Sequence, residues 1–149
     1  MIAWAGVAAA LVSQHAFAME PCPWCIIQRI AYLVVGIFAL FSLLATQSSL
    51  WARAALFLAL AATLAGLAAA LYQHFVAAAT SSCAFTAADR FLAATGLDEL
   101  LPAVFKATAA CDQANAPMLG IPYSLWSAAL AVLLLILIIH AFRRAGVRS

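Results

Sequence analysis

Charge is scarce in this chain: only 8% of its 149 residues are Asp, Glu, Lys or Arg, against roughly 25% in an ordinary soluble domain. Water is therefore not the solvent around most of it. No run of Lys or Arg is available to follow a phosphate backbone, and the net charge is only +2, so the balance points away from nucleic acid. Glycine fingerprints for a dinucleotide or flavin are missing. So is a second short Cys-x-x-Cys knuckle of the kind that zinc ribbons pair. His15, His74 and His140 lack the paired arrangement across helices that haem ligation uses. No internal repeat or low-complexity tract breaks the pattern beyond Ala-rich apolar runs.

What fills the chain is apolar: 68% of residues are hydrophobic. A hydrocarbon core about 30 Å thick needs roughly 20 mostly apolar residues per helical crossing. Four runs meet that requirement, at residues 2–19, 26–45, 54–75 and 123–142. The expectation is an all-α membrane protein, one domain over residues 1–149, built as a four-transmembrane-helix bundle. The first run lacks the basic n-region of a secretory signal, and a sharp motif rather than a mature start follows it, so it is kept as a helix. The Ala and Gly richness of residues 54–70 suits close helix approach in lipid, or is simply an apolar span.

Basic residues collect on the cytoplasmic side of short loops. Arg53, Arg143, Arg144 and Arg148 stand in the small turn and C-terminal tail with no acid beside them. On the other side, Arg29, Arg90 and Lys106 are outnumbered by Glu20, Asp89, Asp98, Glu99 and Asp112. Both termini are expected in the cytoplasm, and Cys22, Cys25, Cys83 and Cys111 on the outer, oxidising side, where disulfides persist. The long outer connection, residues 76–122, carries a capping-box-like start at Thr86 to Asp89 and apolar residues at helical spacing through Phe105. One or two short surface helices are expected there, with Pro102 arguing against a single unbroken one.

Cys22-Pro23-Trp24-Cys25 stands directly before the second run. Cys25 then falls near the first turn of a helix, where unpaired N–H groups and the dipole stabilise a thiolate. Arg29 lies one turn further along the same face, at a depth where a membrane-embedded head group could lie; its bland reading is an interfacial snorkelling side chain. Cys83 and Cys111 flank the surface helices, either as a structural bridge or as a second redox pair. Two dithiol pairs on one membrane face allow a relay by mixed disulfides, with electrons leaving to a two-electron acceptor reachable from the bilayer. A lipid-soluble quinone meets those conditions without a cofactor domain.

Taken in order, the apolar span, Pro21-Cys-x-x-Cys-x-x-Gln-Arg29, the short basic turn, the span ending in Gln73-His74, the outer loop with two cysteines, and Leu119-Gly-Ile-Pro122 leading to Trp126 resemble the DsbB family of disulfide bond formation proteins. The resemblance covers essentially the whole chain. It implies a bacterial inner-membrane thiol oxidase that reoxidises a periplasmic thioredoxin-like DsbA-like partner and passes electrons to ubiquinone or menaquinone. By position, it implies that Cys25 makes a charge-transfer contact with the quinone ring and that Arg29 supports it. Cys83 forms the mixed disulfide with the partner, Cys111 resolves with Cys22, and His74 lies near the quinone. On its own, His74 reads as an interfacial helix end.

Two departures stand out. Gln28 occupies a place that is acidic in some members, which affects electrostatics near the quinone. The chain also begins almost inside the first span, which is compatible with a start further upstream. Competing readings are a DsbI-like dedicated paralogue, a vitamin K epoxide reductase-like enzyme, whose Cys-x-x-Cys typically lies late in the bundle, and a non-catalytic membrane subunit with structural cysteines.

Overall fold

The computed structural model describes residues 1–45, 50–79, 86–115 and 117–147. In chain order these form α1 (Ile2–Ala16), α2 (Pro23–Leu44) and α3 (Leu50–Tyr72), which runs on into a π-helical turn, Gln73–Ala77. Four short helices follow: α4 (Ala87–Thr95), α5 (Leu97–Leu100), α6 (Pro102–Phe105) and α7 (Cys111–Ala114). A small hairpin of β1 (Pro117–Met118) and β2 (Ile121–Pro122) leads into α8 (Tyr123–Val147). Cys83 and Arg148, singled out in the sequence, lie outside the described residues, as do residues 46–49 of the expected turn between the second and third spans.

Among the described residues, three helices are long and apolar enough to cross a membrane: Pro23–Leu44, Leu50–Ala77 and Tyr123–Arg144. The first helix is shorter than expected. α1 has 15 residues, about 22 Å at 1.5 Å per residue. It stops because Ala18 takes a left-handed φ of 52° and the Met19 N–H turns back to the Ser13 carbonyl.

α2 begins three residues before the expected run because Cys22 is its N-cap and Pro23 its first residue. Proline at that position loses no hydrogen bond and already has helical φ. The Cys-x-x-Cys motif is thus itself the helix start. α3 likewise starts at Leu50, and α8 extends beyond residue 142, keeping Arg143 and Arg144 helical.

Small residues set how closely the helices meet. Ala52, Ala55, Ala59, Thr63, Gly66 and Ala70 lie at helical spacing on one buried stripe of α3, while Phe57, Leu58, Leu64 and Leu71 face outward. This suits a bundle in lipid, where outward side chains gain nothing by hiding and helices associate through backbone proximity. A methyl group added at Gly66 would sit 3.3 Å from the Ala31 Cβ and 3.4 Å from the Tyr32 ring on α2. At Gly36 it would run into the Trp4 indole of α1, and at Gly6 into Leu130 of α8. The core knits α1, α2, α3 and α8 through Val7, Tyr32, Val35, Ala59, Ala131 and Leu134. Tyr32 fixes the α2–α8 crossing by donating its hydroxyl to the Ser127 carbonyl at 2.8 Å.

The connection between α3 and α8 packs down on the start of α2. Thr86 and Asp89 form the expected capping box on α4, and Pro102 opens α6, so the segment is several short helices rather than one. Leu92 and Phe105 bury against Ile26. The hairpin turn places Leu119 and Gly120 at φ 54° and 81°, and Trp126 holds it by donating to the Met118 carbonyl at 3.1 Å.

Candidate active site at the amino end of α2

Three cysteines meet where α2 begins. Cys22 caps the helix, accepting the Cys25 N–H on its sulfur at 3.4 Å, and the two sulfurs lie 3.1 Å apart. Cys111, half-buried, packs against the same cluster together with Trp24 and Ala109, close enough for its thiol to act on that of Cys22. The Thr108 and Ala109 N–H groups both donate to the Pro21 carbonyl, at 3.0 and 3.3 Å. That clamp brings a segment almost ninety residues later in the chain onto the motif.

The two outer thiols are biased in opposite senses. The Cys22 thiol is pushed far above its ordinary range, chiefly because it shares its proton with Cys111 and then Cys25, and further because it is buried. The Cys111 thiol is held below its ordinary range by the hydrogen bond from Cys22; burial opposes this, and the Trp24 backbone N–H adds to it. The arrangement favours the proton on Cys22 and leaves Cys111 the more readily ionised of the two.

Cys25 is fixed from α3. Gln73, wholly buried in the π-helical turn, donates its amide N–H to the Cys25 sulfur at 3.2 Å and accepts from Gln28 at 2.6 Å. Trp24 packs against the cysteine cluster, its ring tilted against that of Tyr72 at a centroid distance of 4.6 Å. Its indole N–H is buried with no acceptor among the described residues.

A cavity of about 230 Å³ adjoins Cys25, between α1, α2 and α8. Gly6, Val7 and Ala10 line it from α1, Cys25, Arg29 and Tyr32 from α2, and Tyr123, Trp126 and Leu130 from α8. The Arg29 guanidinium is buried, not snorkelling. Its Nη1 donates to Gln14 Oε1 at 2.7 Å and to the Val104 carbonyl at 2.8 Å, tying α1 and α6 to α2. His15 beside Gln14 touches the Ala103 carbonyl at 3.3 Å.

The family described as Disulfide bond formation protein DsbB matches residues 1–141. A Disulfide bond formation protein B from Cupriavidus metallidurans is 32% identical over 147 residues, covering 97% of this chain and 89% of that protein. A Disulfide bond formation protein B 2 from Burkholderia lata is 35% identical over 122 residues, covering 81% of this chain and 71% of its own. One from Ralstonia nicotianae is 30% identical over 146 residues, covering 97% of this chain and 90% of its own. The chain belongs to the DsbB family. No solved structure gives a significant match. The family and the three apolar helices together make this a multi-pass membrane protein with an oxidoreductase role in disulfide formation.

Against the sequence reading, the structure brings Cys22, Cys25 and Cys111 together and sets Arg29 on the cavity that Cys25 lines. His74 does not line that cavity; its Nδ1 lies 3.1 Å from the Ser124 hydroxyl. Sequence reasoning missed Gln73 as the partner of Cys25 and Gln14 as the partner of Arg29. The available signal was their polarity inside apolar spans, where such residues are costly and mark function.

Proposed function

We propose that this chain is a protein-dithiol:quinone oxidoreductase, taking electrons from a periplasmic DsbA-like thioredoxin-fold partner and delivering them to ubiquinone or menaquinone in the membrane. One observation carries the reading: Cys22, Cys25 and Cys111 cluster at the head of α2, and the cavity that Cys25 lines has mostly apolar walls and holds a buried arginine.

The residues fit a quinone ring. The cavity is smaller than the roughly 300–1,000 Å³ of pockets for drug-sized ligands, so it suits a single-ring head group with its tail left in lipid. Val7, Ala10, Trp126 and Leu130 provide apolar walls, and Arg29 provides N–H donors for a ring carbonyl. The quinone, when bound, supplies a sink for two electrons and two protons.

The chain's own cysteines do the rest by exchange. With both pairs oxidised at the start, Cys83 takes attack from a partner thiolate, the Cys83–Cys111 bond breaks, and Cys111 leaves as thiolate. The partner's second thiol then displaces Cys83, and the partner departs as a disulfide. Cys111 attacks Cys22; a Cys22–Cys111 bond forms, the Cys22–Cys25 bond breaks, and Cys25 leaves as thiolate on the cavity wall. Cys83 finally attacks Cys111, which restores the loop pair and leaves Cys22 and Cys25 as the dithiol. Gln73 holds the Cys25 sulfur throughout by its amide N–H.

In this reading α1 is the fourth crossing, since it packs in the same core as the three longer helices. The excess of arginine in the tail and small turn puts both termini in the cytoplasm and the cysteines in the periplasm. The testing experiment is quinone reduction by the purified protein in detergent with a reduced thioredoxin-like dithiol donor, wild type against Cys25→Ser. Cysteine-dependent reduction is expected. Its absence with several quinones and donors would return the cysteines to a structural role.

A further inference from the structure

The segment carrying Cys111 is fastened at both ends. In front, Thr108 and Ala109 hang from the Pro21 carbonyl. Behind, Asn115, the residue after α7, bonds the first turn of α8: its Oδ1 lies 3.2 Å from the Ser124 N and 2.7 Å from the Ser124 Oγ. Ser124 is wholly buried, and its hydroxyl also meets His74 Nδ1 at 3.1 Å.

The directions of these bonds follow from chemistry alone. A backbone N–H only donates, so the Asn115 atom facing it is the carbonyl oxygen. That oxygen only accepts, so the Ser124 hydroxyl spends its single proton on Asn115. The Ser124 oxygen therefore has only lone pairs for His74, and Nδ1 must carry the proton. His74 is the donor at the end of a chain that runs His74 to Ser124 to Asn115 and so to α7. Its neighbour Gln73, in the same π-helical turn, reaches Cys25 instead. Two consecutive residues of the π-helical turn thus reach Cys25 and, through Ser124 and Asn115, the end of the helix that carries Cys111.

We infer that His74 is a positioning residue for Cys111, acting through Ser124 and Asn115. This rests on the reading above, in which Cys111 bonds first to Cys83 and then to Cys22 and must return to the same place each cycle. The His74 chain raises the effective concentration of the Cys111 sulfur at Cys22 without touching either sulfur.

The test needs no quinone and no partner. In a Cys25→Ser/Cys83→Ser background only Cys22 and Cys111 remain, and their disulfide is equilibrated against glutathione in detergent and read by alkylation mass shift. His74→Ala lowers the equilibrium constant for that disulfide about five-fold, the equivalent of one net hydrogen bond. Ser124→Ala lowers it similarly and serves if His74→Ala does not fold. His74→Asn restores it, because an asparagine amide N–H falls where the Nδ1–H was. In a Cys83→Ser/Cys111→Ser background, His74→Ala leaves the Cys22–Cys25 equilibrium unchanged. An unaltered Cys22–Cys111 constant, an equal fall for Cys22–Cys25, or no rescue by asparagine would each overturn the inference. Failure of the oxidase reading is a separate result, seen as absence of quinone reduction by wild type.

Discussion

Gln73 reaches the sulfur of Cys25 across 48 residues of sequence, donating at 3.2 Å while its own carbonyl takes the Gln28 amide at 2.6 Å. Both glutamines are buried. Gln73→Leu therefore strands the Gln28 amide, and an unsatisfied buried donor costs about 1–3 kcal/mol. Replacing both by leucine leaves nothing unpaired, so the double variant should recover much of that loss. The check is unfolding by SDS titration of detergent-solubilised protein. Both variants should also slow Cys25-dependent oxidation, because each lacks the N–H on the sulfur. Additive destabilisation in the double variant would mean that the two side chains do not act as a pair.

The opposite biases of Cys22 and Cys111 predict an order of alkylation. Rates follow the thiolate fraction, so a depressed pKa moves the pH profile of modification down and a raised one moves it up. In the reduced protein, Cys111 should react with iodoacetamide at pH values below those a free cysteine needs, and Cys22 should resist even above them. Cys111→Ser removes the main cause of the raised Cys22 value and should bring its profile down. Mass spectrometry of labelled peptides across pH distinguishes the two sites. Profiles that coincide would show that the cysteines do not share a proton.

Much of this arrangement was legible in the chain because lipid imposes few solutions. The apolar runs located the long helices, Thr86 and Asp89 marked the start of α4, and Pro102 marked a break. The motif around Cys22 and Cys25 placed a thiol pair at a helix end. What stayed hidden depends on contacts between distant segments. Pro21 clamping residues 108 and 109 is a backbone event with no side-chain signature. Gln73 and His74 are adjacent, and only the π-helical turn shows that they serve different partners. The early end of α1 comes from the left-handed Ala18, a conformation that alanine's own preferences do not announce.

Arg29 donates from one nitrogen to Gln14 on α1 and to the Val104 carbonyl in α6. A lysine has three donors at one point and cannot hold both while also presenting a fork to the cavity. Arg29→Lys should therefore raise the KM for a short-chain quinone about ten-fold or more, since hydrogen bonds to a charged group are worth about 1.5–3 kcal/mol. Arg29→Ala should raise it further and also loosen the outer connection, read as faster proteolysis between residues 97 and 106. Gln14→Leu should reproduce part of the loosening. An unchanged KM in both Arg29 variants would return Arg29 to a structural role.

The contact between Gly36 and Trp4 tests whether α1 is an integral member of the bundle. A methyl group at Gly36 would occupy the space of the Trp4 indole, which also donates to the Leu33 carbonyl at 3.4 Å. Overpacking of this kind costs about 1–3 kcal/mol, so Gly36→Ala should destabilise the protein by that amount in SDS unfolding. The cavity lies between α1 and α2, so the same change should weaken quinone binding as α1 shifts away. Trimming the partner relieves the clash: Trp4→Ala costs stability alone, yet Gly36→Ala should add little on top of it. Such non-additivity is expected only for side chains in contact. If Gly36→Ala is as costly in the Trp4→Ala background as in wild type, α1 does not pack on α2 in the way described.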